Sequence, residues 1–519
     1  MEKLILDILE ESEKKFSEMT AVKWLKKKEI YEISYRGIME NVRAVRKGLA
    51  AEGFQGKHIA LIGGSSLEWI EGYLGIITGR TVAVPLDAML PVEDLADLIN
   101  RSDSEALFLS PKNQGLLEEL LTECPDLKKI WLLQEEPAEL SDGRVTCLGK
   151  LKETGRETET DSERPDSGDT ATIIFTSGTT GKSKGVMLTQ GNLASNVLSV
   201  DFALEPGTVI LSVLPIHHAF CLVMDWLKGF SLGTTVCIND SLMHMVKNMG
   251  IFKPEVILMV PLMVETIYKK LSAASPLIPK KMVAAKAFGG NLKILITGGA
   301  HLDPFYIDKF ADYGIGIFEG YGMSECSPVI SSNTPERHKA GSIGRPLSNV
   351  QISFEDGEIL VKGSSVMKGY YKMPEETADT LRDGWLHTGD KGYLDEDGFL
   401  FINGRIKNLI ILSNGENISP EEIENKLALG KLVGEVIVTG ENNGLTARIY
   451  PDQDVVAAKG LDEEAIRAAL QAFLDQYNKN QPTYRQITGL VVRKNPFIRS
   501  STKKIKRQEA LIDEPLPTA

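Results

Sequence analysis

Short apolar runs alternate with amphipathic stretches along much of the chain, and this alternation limits the folds that it can adopt. Within residues 57–86 a short apolar run, a helical repeat and a second apolar run follow one another. The same order recurs at 106–132 and 255–297. Apolar runs of strand length that alternate with amphipathic helices are typical of βαβ units. The sequence therefore predicts an α/β fold of layered sheets and helices.

The chain has 519 residues, which is more than a single domain with one hydrophobic core usually contains, so we expect at least two domains. Residues 152–169 are polar and charged, and they predict a solvated connector between two lobes of one large region. Beyond residue 404 the pattern predicts helices at 420–428 and 462–476 and strands at 434–439, 446–450 and 487–492. We predict a large layered N-terminal domain of several subdomains, residues 1–404, and a small α+β C-terminal domain, residues 405–519.

Composition argues against several classes of protein. The formal net charge of −13 and the pI near 5.3 disfavour a nucleic-acid-binding surface. Five scattered cysteines without metal-ligand spacing suit buried positions in a reducing compartment. No apolar stretch reaches membrane-spanning length, and residues 1–16 lack the features of a signal peptide. We expect a cytoplasmic protein, and no strongly basic amphipathic helix supports peripheral membrane attachment.

The segment 172–186 has the composition of a phosphate-binding loop. An apolar strand is followed by Thr, Ser and Gly residues, by two lysines and by another apolar run. Glycines let backbone N–H groups converge on anionic oxygens, hydroxyls add donors, and lysine supplies charge. The nucleoside-triphosphatase P-loop is excluded because it requires glycine five positions before Gly181, where Thr176 stands. On the local sequence alone, a flexible Gly- and Ser-rich surface loop is the alternative.

Further motifs follow this segment in a fixed order. They are LPIHH at 214–218, GGA at 298–300, EGYGMSE at 319–325, GWLHTGD at 384–390, GRIKNLI at 404–410 and STKKIKR at 501–507. Together with TSGTTGKSKGV at 176–186, the series resembles the adenylate-forming superfamily, which includes acyl-CoA synthetases, luciferases and the adenylation domains of peptide synthetases. An ordered series across both predicted domains excludes a chance match.

The resemblance implies roles for individual residues. The implied ATP-binding residues are Thr176, Ser177, Gly178, Thr179, Thr180, Gly181, Lys184, Gly299, Glu319, Gly320, Tyr321, Ser324, Asp390, Arg405 and Lys504. Thr176 and Glu325 would bind Mg²⁺, and His218 and Gly298 would contact the acyl substrate. The chemistry agrees, because a carboxylate can accept hydrogen bonds from two ribose hydroxyls and a hard cation prefers oxygen ligands. Taken alone, Asp390 could be a turn residue, Tyr321 a packing residue and His218 an ordinary histidine at the core edge.

The resemblance assigns catalysis to Lys504, with Thr176 and Glu325. A lysine at the α-phosphoryl group would stabilise the negative charge that grows there. The family pattern T-G-K-I-x-R has glycine where this chain has Lys503, so the register of the motif departs at that position. A solvated basic patch is the alternative for this segment. The resemblance also places a hinge at Lys407, about which a small mobile domain would rotate between two half-reactions.

The resemblance implies an AMP-forming acid–thiol ligase that uses ATP, Mg²⁺ and coenzyme A. Peptide-synthetase domains carry an aspartate near the position of His218, whereas Asp225 here lies seven residues further among apolar neighbours, which disfavours an amino-acid substrate. The run 408–424 resembles fatty-acyl-CoA synthetases of bacteria and implies a medium or long acyl chain. One alternative is an adenylating enzyme that loads an acyl carrier protein, and another is a non-catalytic nucleotide- or acyl-binding protein.

Overall fold

The computed structural model describes residues 3–136, 142–176, 183–275, 277–411, 417–441, 444–499 and 505–507. The chain divides into two compact units. The first comprises Met1–Gly299, Phe305–Ile352 and Val361–Leu386, and the second comprises Ala300–Pro304, Ser353–Leu360 and His387–Ala519. The domain boundary between residues 404 and 405 stays a prediction.

The helices of the described residues are given in chain order. They are α1 (Ile5–Phe16), α2 (Tyr35–Ala51), α3 (Leu67–Ile77), α4 (Val92–Arg101), α5 (Leu117–Glu123), α6 (Leu148–Glu157), α7 (Gln190–Ser199), α8 (Gly229–Ser231), α9 (Met245–Phe252), α10 (Pro261–Ser272), α11 (Lys280–Phe288), α12 (Pro304–Ala311), α13 (Pro374–Thr380), α14 (Pro420–Leu427), α15 (Gln453–Lys459) and α16 (Glu463–Asn478). A π-helix at Cys221–Lys228 precedes α8, and 3₁₀ turns lie at Pro111–Leu116, Leu242–His244, Ser324–Cys326, Ile406–Asn408 and Thr483–Arg485.

The strands are also given in chain order. They are β1 (Thr20–Lys26), β2 (Glu29–Ser34), β3 (His58–Ile62), β4 (Val82–Leu86), β5 (Ser104–Leu109), β6 (Lys129–Leu132), β7 (Val145–Cys147), β8 (Thr170–Thr176), β9 (Lys184–Thr189), β10 (Val209–Ser212), β11 (Thr235–Ile238), β12 (Val256–Met259), β13 (Ile294–Gly298), β14 (Gly316–Gly322), β15 (Val329–Ser332), β16 (Arg345–Pro346), β17 (Val350–Glu355), β18 (Glu358–Gly363), β19 (Gly369–Tyr370), β20 (Leu381–Arg382), β21 (Trp385–Leu394), β22 (Leu400–Arg405), β23 (Ile410–Ile411), β24 (Asn417–Ile418), β25 (Val433–Glu441), β26 (Gly444–Pro451) and β27 (Ile487–Val492).

The first unit contains a nine-stranded sheet in the order β16–β15–β14–β13–β12–β10–β11–β1–β2. Its strands β10 to β14 are parallel, as the alternation at 255–297 predicts. From β11 the chain passes to β12, β13 and β14, each time in the same direction along the sheet. Because parallel crossovers are right-handed, the connecting helices α9, α10, α11 and α12 lie on one face of this sheet.

The first unit also contains an eight-stranded sheet in the order β19–β9–β8–β4–β3–β5–β6–β7. The predicted βαβ unit at 57–86 is confirmed, since β3 and β4 pair in parallel with α3 between them. Its apolar strands pack against α4 and α5 in a fully buried core. Helix α3 begins after Ser66, whose Oγ atom caps it by accepting the Trp69 N–H at 3.1 Å.

The predicted connector at 152–169 is wrong at its beginning, because helix α6 continues to Glu157. Lys152 on this helix is buried, and its ammonium donates to the buried Glu71 carboxylate at 3.0 Å. Glu71 also accepts a hydrogen bond from Asn41 at 2.7 Å. A buried charge requires such partners, and this lysine therefore belongs to the interior of the lobe rather than to a solvated link.

The second unit is an α+β arrangement, as the sequence predicts. Strands β25 and β26 form an antiparallel hairpin, β27 pairs in parallel with β26, and α14 and α16 cover the apolar core of this sheet. The predicted helices and strands beyond residue 420 are confirmed, and α15 is an additional helix. The α/β fold class with a large N-terminal and a small C-terminal part is thus confirmed, whereas the mobility of the small part stays a prediction.

Two further expectations concern the cysteines and membrane-spanning helices. All five cysteines are buried and unpaired. Within the described ranges, no helix is both long and apolar enough to cross a membrane.

Candidate active site

The predicted phosphate loop is flanked by two antiparallel strands. Thr176 ends β8 and lies opposite Lys184, which begins β9, and the Thr176 hydroxyl donates to the Lys184 carbonyl oxygen at 3.5 Å. The two residues are therefore held together at the base of the loop. The other predicted loop residues lie outside the described residues: Ser177, Gly178, Thr179, Thr180 and Gly181.

Tyr370 connects the base of this loop to the predicted metal-binding carboxylate. Its strand β19 pairs with β9, and its ring lies 4.8 Å from the Nζ atom of Lys184. Its hydroxyl donates to the Oε1 atom of Glu325 at 2.9 Å. Burial, and then the charge of Glu325, raise the pKa of Tyr370, so the phenol stays protonated and remains a donor. The structure thus brings Thr176, Lys184 and Glu325 into one group.

The predicted ATP-binding segments at 298–300 and 319–325 begin on adjacent parallel strands. β13 ends with Gly298 opposite Gly320 on β14, and a Cβ atom on Gly298 would lie 2.8 Å from the Gly320 carbonyl oxygen. Gly299 has a φ of +82°, which favours glycine. The side chains of Glu319 and Tyr321 on β14 are buried. Small residues at 298 and 320 therefore let the two chains approach closely at this end of the sheet. Ser324 begins the 3₁₀ turn that carries Glu325.

The predicted acyl-contact residues lie near an aromatic side chain that the sequence did not indicate. His218 packs against His217, with ring centroids 4.1 Å apart. Phe220, two residues further, has its Cζ atom 3.7 Å from where a Cβ atom on Gly298 would lie. The segment after His218 and the glycine turn are thus neighbours, and Phe220 lies between them.

Asp225 is fully buried on the π-helix. The thiol of Cys221 is 3.6 Å from its Oδ2 atom, and burial raises the pKa of Asp225 to about 7. A carboxyl group that is readily protonated and surrounded by core residues is poorly suited to bind a substrate ammonium group. This agrees with the expectation that the substrate is not an amino acid.

In the second unit, Asp390 and Arg405 face each other across the hairpin of β21 and β22. The Nε atom of Arg405 lies 2.9 Å from the Oδ1 atom of Asp390. The Asp390 side chain is buried, whereas the Arg405 side chain is 46% exposed. The Thr388 hydroxyl accepts the Asp390 backbone N–H at 3.1 Å, which fixes the turn before the carboxylate. The hairpin therefore presents a buried carboxylate with its cation beside it.

The predicted hinge follows this hairpin directly. Lys407 lies in the 3₁₀ turn Ile406–Asn408, and burial and the charge of Arg405 lower its pKa. The amide of Asn408 donates to Glu421 at 2.5 Å. A Cβ atom on Gly404 would lie 2.1 Å from the Oγ atom of Ser419, so only glycine fits there. The segment is thus tied to the start of α14 at both ends.

Lys504 lies outside the described residues. Beyond it, Ile505 bridges to Arg499, and Arg507 pairs with the carboxylate of Glu424.

Tyr370 and Phe220 are the residues that sequence reasoning missed. Each is a single aromatic next to a recognised feature, and neither has a spacing that distinguishes it from a packing residue. The position of Tyr370 depends on the pairing of β19 with β9, which are about 180 residues apart in the sequence.

Comparisons with known proteins agree with this geometry. The chain matches the AMP-binding enzyme family over residues 9–371 and the AMP-binding enzyme C-terminal domain over 407–513. It is 30% identical to long-chain-fatty-acid–CoA ligase 5 of Mus musculus, over 92% of this chain and 82% of that protein. It is 27% identical to a chloroplastic long-chain-fatty-acid–[acyl-carrier-protein] ligase of Arabidopsis thaliana, over 86% of this chain and 75% of that protein.

The fold also resembles that of the O-succinylbenzoate coenzyme A synthetase of Bacillus subtilis, solved in complex with AMP. The TM-score is 0.76 at 22% identity, and the match covers 98% of each chain. The chain belongs to the AMP-binding enzyme family and is an acid–thiol ligase of the acyl-CoA synthetase type.

Proposed function

We propose that this chain activates a medium- or long-chain fatty acid with ATP and transfers the acyl group to coenzyme A. The single observation that carries the proposal is the contact between Tyr370, Lys184 and Glu325, because it joins the base of the phosphate loop to a buried carboxylate. The relatives named above support the substrate class, since the mouse relative is a long-chain-fatty-acid–CoA ligase. A cytoplasmic location stays a prediction.

In the first half-reaction a carboxylate oxygen of the acid attacks the α-phosphorus of ATP. The bond between the α-phosphorus and the bridging oxygen breaks, and pyrophosphate leaves. Lys184 and the residues from Thr176 to Gly181 would bind the β- and γ-phosphates, and Gly299, Glu319, Gly320, Tyr321 and Ser324 would lie around the adenine. Lys504 would neutralise charge on the α-phosphoryl oxygens.

Mg²⁺ fits the donors present. Glu325 offers a carboxylate that is hydrogen bonded by a neutral phenol, and Thr176 offers a hydroxyl. These are hard oxygen ligands of the kind that Mg²⁺ takes together with waters and substrate phosphates. When bound, the ion would supply positive charge beside the phosphates. Glu325 and Thr176 would hold it, and Tyr370 would orient the carboxylate.

In the second half-reaction the thiol attacks the acyl carbonyl carbon, and AMP leaves as the thioester forms. We propose that the small C-terminal domain, 405–519, rotates about Lys407 between the two steps. Asp390 and Arg405 would bind the ribose, and His218 and Gly298, with Phe220 between their segments, would contact the acyl chain. The second candidate acceptor is an acyl carrier protein, which the Arabidopsis relative favours.

Hydroxylamine trapping with a panel of carboxylic acids tests the proposal. Purified protein, ATP and Mg²⁺ should give acyl hydroxamate with medium- or long-chain acids in the absence of any thiol. Adding coenzyme A should then give acyl-CoA, measured by mass spectrometry. If hydroxamate forms but the acyl group is transferred only to a carrier protein, the acceptor is the carrier protein and not coenzyme A. If no acid gives hydroxamate, the ligase assignment for this chain is refuted.

A further inference from the structure

Helices α9 and α11 of the first unit, together with the 3₁₀ turn before α9 and the residues just before α11, carry exposed apolar side chains. Met243 and Leu277 are each 93% exposed, and Met282 is 62% exposed. Leu242, Val246 and Ile278 beside them are also exposed. Single exposed apolar residues are ordinary, but six on two neighbouring segments require an explanation.

The two segments belong to one surface. α9 and α11 lie on the same face of the nine-stranded sheet, as the right-handed crossovers require. They also pack on each other, and their C-terminal ends meet closely, since a Cβ atom on Gly289 would lie 2.3 Å from the Met249 carbonyl oxygen. We call residues 241–275 and 277–293, with α9, α10 and α11, the lysine-rich face.

The charge of this face is opposite to that of the whole chain. Residues 241–293 contain eight lysines, two glutamates and no aspartate or arginine, in a chain of net charge −13. Lys293 pairs with Glu255 at 3.2 Å and Lys280 with Asp312 at 2.6 Å. Five other lysines are exposed and have no acidic partner within 4.0 Å in the described part of the chain: Lys247, Lys253, Lys270, Lys281 and Lys286.

The apolar side chains and the positive charge of this face both suit the same kind of partner, an anionic membrane surface. Aliphatic groups insert into the headgroup region of a bilayer, while lysines are attracted to anionic lipids. The core of a protein–protein interface is instead depleted of lysine. We propose that the lysine-rich face binds the surface of an anionic membrane. The sequence alone gave no support for this because the face is assembled from separate segments rather than from one basic amphipathic helix.

This inference goes beyond the proposed function and does not depend on it, because binding is measured without substrates. The full chain is mixed with vesicles of phosphatidylcholine alone or of phosphatidylcholine with about 30% phosphatidylserine, an anionic lipid. The vesicles are then sedimented, and the protein that sediments with them is measured. We expect binding to the anionic vesicles, weak binding to the neutral ones, and a fall in binding when salt is raised from 0.1 to about 0.5 M.

Two triple variants separate the contributions of charge and of apolar groups. The charge variant carries Lys247→Glu, Lys281→Glu and Lys286→Glu, and its matched control reverses three exposed lysines elsewhere: Lys112→Glu, Lys459→Glu and Lys479→Glu.

The apolar variant carries Met243→Ser, Leu277→Ser and Met282→Ser, and its control carries Ile30→Ser, Leu198→Ser and Leu429→Ser. Each face variant should lower the partition coefficient at least about tenfold, and each control should change it less than about twofold. Circular dichroism melting verifies that all four fold.

The absence of a preference for anionic vesicles would overturn the proposal, as would equal vesicle binding by the face variants and their controls. It would also be overturned if the face variants kept their binding to vesicles but lost binding to an acidic acyl carrier protein, measured in parallel. Reduced vesicle binding with unchanged hydroxamate formation in detergent-free solution would support it and leave the ligase assignment untouched.

Discussion

Two buried carboxylates that the motifs identify, Glu325 in the first unit and Asp390 in the second, have different kinds of partner. Glu325 accepts a hydrogen bond from the neutral hydroxyl of Tyr370, whereas Asp390 is paired with the guanidinium of Arg405. A neutral donor leaves the negative charge of a carboxylate in place, and a guanidinium cancels it. Glu325 is therefore suited to bind a cation, and Asp390 to accept hydrogen bonds from uncharged hydroxyls.

This difference indicates a division of tasks. Residues of the first unit would bind the ion, the phosphates and the adenine, while residues of the second would bind the ribose and bring Lys504 to the α-phosphoryl group. Each variant below tests one side of the division.

Lys504→Ala should have the largest effect. It should lower the rate of acyl-adenylate formation about 100- to 1000-fold, because a donor to the developing α-phosphoryl charge is lost. ATP–pyrophosphate exchange measures this step. Lys503→Ala is the matched control, since it changes the neighbouring lysine and should leave exchange nearly unchanged. The reverse result would shift the register of the motif by one residue.

Lys407→Pro should lower thioester formation from preformed acyl-adenylate about 100-fold and leave adenylation unchanged. Proline fixes φ at the proposed hinge, and a backbone conformation that needs another φ at this residue would cost about 3 kcal/mol. Lys407→Ala removes the same side chain without that restriction and should retain both steps. The two half-reactions are followed separately by hydroxamate and acyl-CoA formation. Equal loss of both steps would refute the hinge.

Glu325→Gln should raise the Mg²⁺ concentration needed for half-maximal adenylation about 30-fold, because a neutral amide oxygen replaces a charged ligand. Magnesium titrations at saturating ATP measure the change. Removing the metal with EDTA should abolish hydroxamate formation by the unmodified protein. A variant with an unaltered magnesium requirement would show that Glu325 is not a ligand.

Asp390→Asn should raise the KM for ATP about tenfold, since the amide can accept one hydrogen bond where the carboxylate accepts two. The magnesium requirement should stay the same. The comparison between the carboxylates would break down if this variant also changed the response to Mg²⁺.

Tyr370→Phe should lower the rate of adenylation about fivefold, because one hydrogen bond to a charged group is lost while the ring beside Lys184 is kept. Tyr371→Phe is its matched control: the Tyr371 hydroxyl donates to the exposed Asp103 at 2.6 Å. A positioning role also predicts a raised magnesium requirement in Tyr370→Phe, which a purely structural role would not produce.

The parts of the fold that are local in sequence could be predicted, whereas the contacts between distant segments could not. The βαβ unit at 57–86 and the elements beyond residue 420 follow from periodicity. Turn geometry was less predictable. The loop that joins β21 to β22 comprises residues 395–399, and the side chain of Asp395 fixes it by accepting the Phe399 N–H at 2.8 Å, a contact that sequence periodicity does not reveal.

The candidate site shows the same limit. The motifs identified Glu325, Asp390 and Arg405, but a motif does not reveal the partner of each side chain. Only the pairing of β19 with β9 brings Tyr370 to Glu325. In the same way, the polarity of the segment that begins at Lys152 suggested solvent, because the partner Glu71 is 81 residues earlier in the chain.

The buried pair of Lys152 and Glu71 has an evolutionary consequence. Replacing Lys152 alone would leave Glu71 as an interior charge with only the Asn41 amide as its partner, at a cost of about 3 to 5 kcal/mol. Replacing Glu71 alone would leave the buried Lys152 ammonium with only the exposed Glu135 carboxylate. Two apolar residues of matching volume would avoid that cost, yet the chain would have to pass through a destabilised single mutant to reach them. Among descendants of this sequence, positions 71 and 152 should therefore covary.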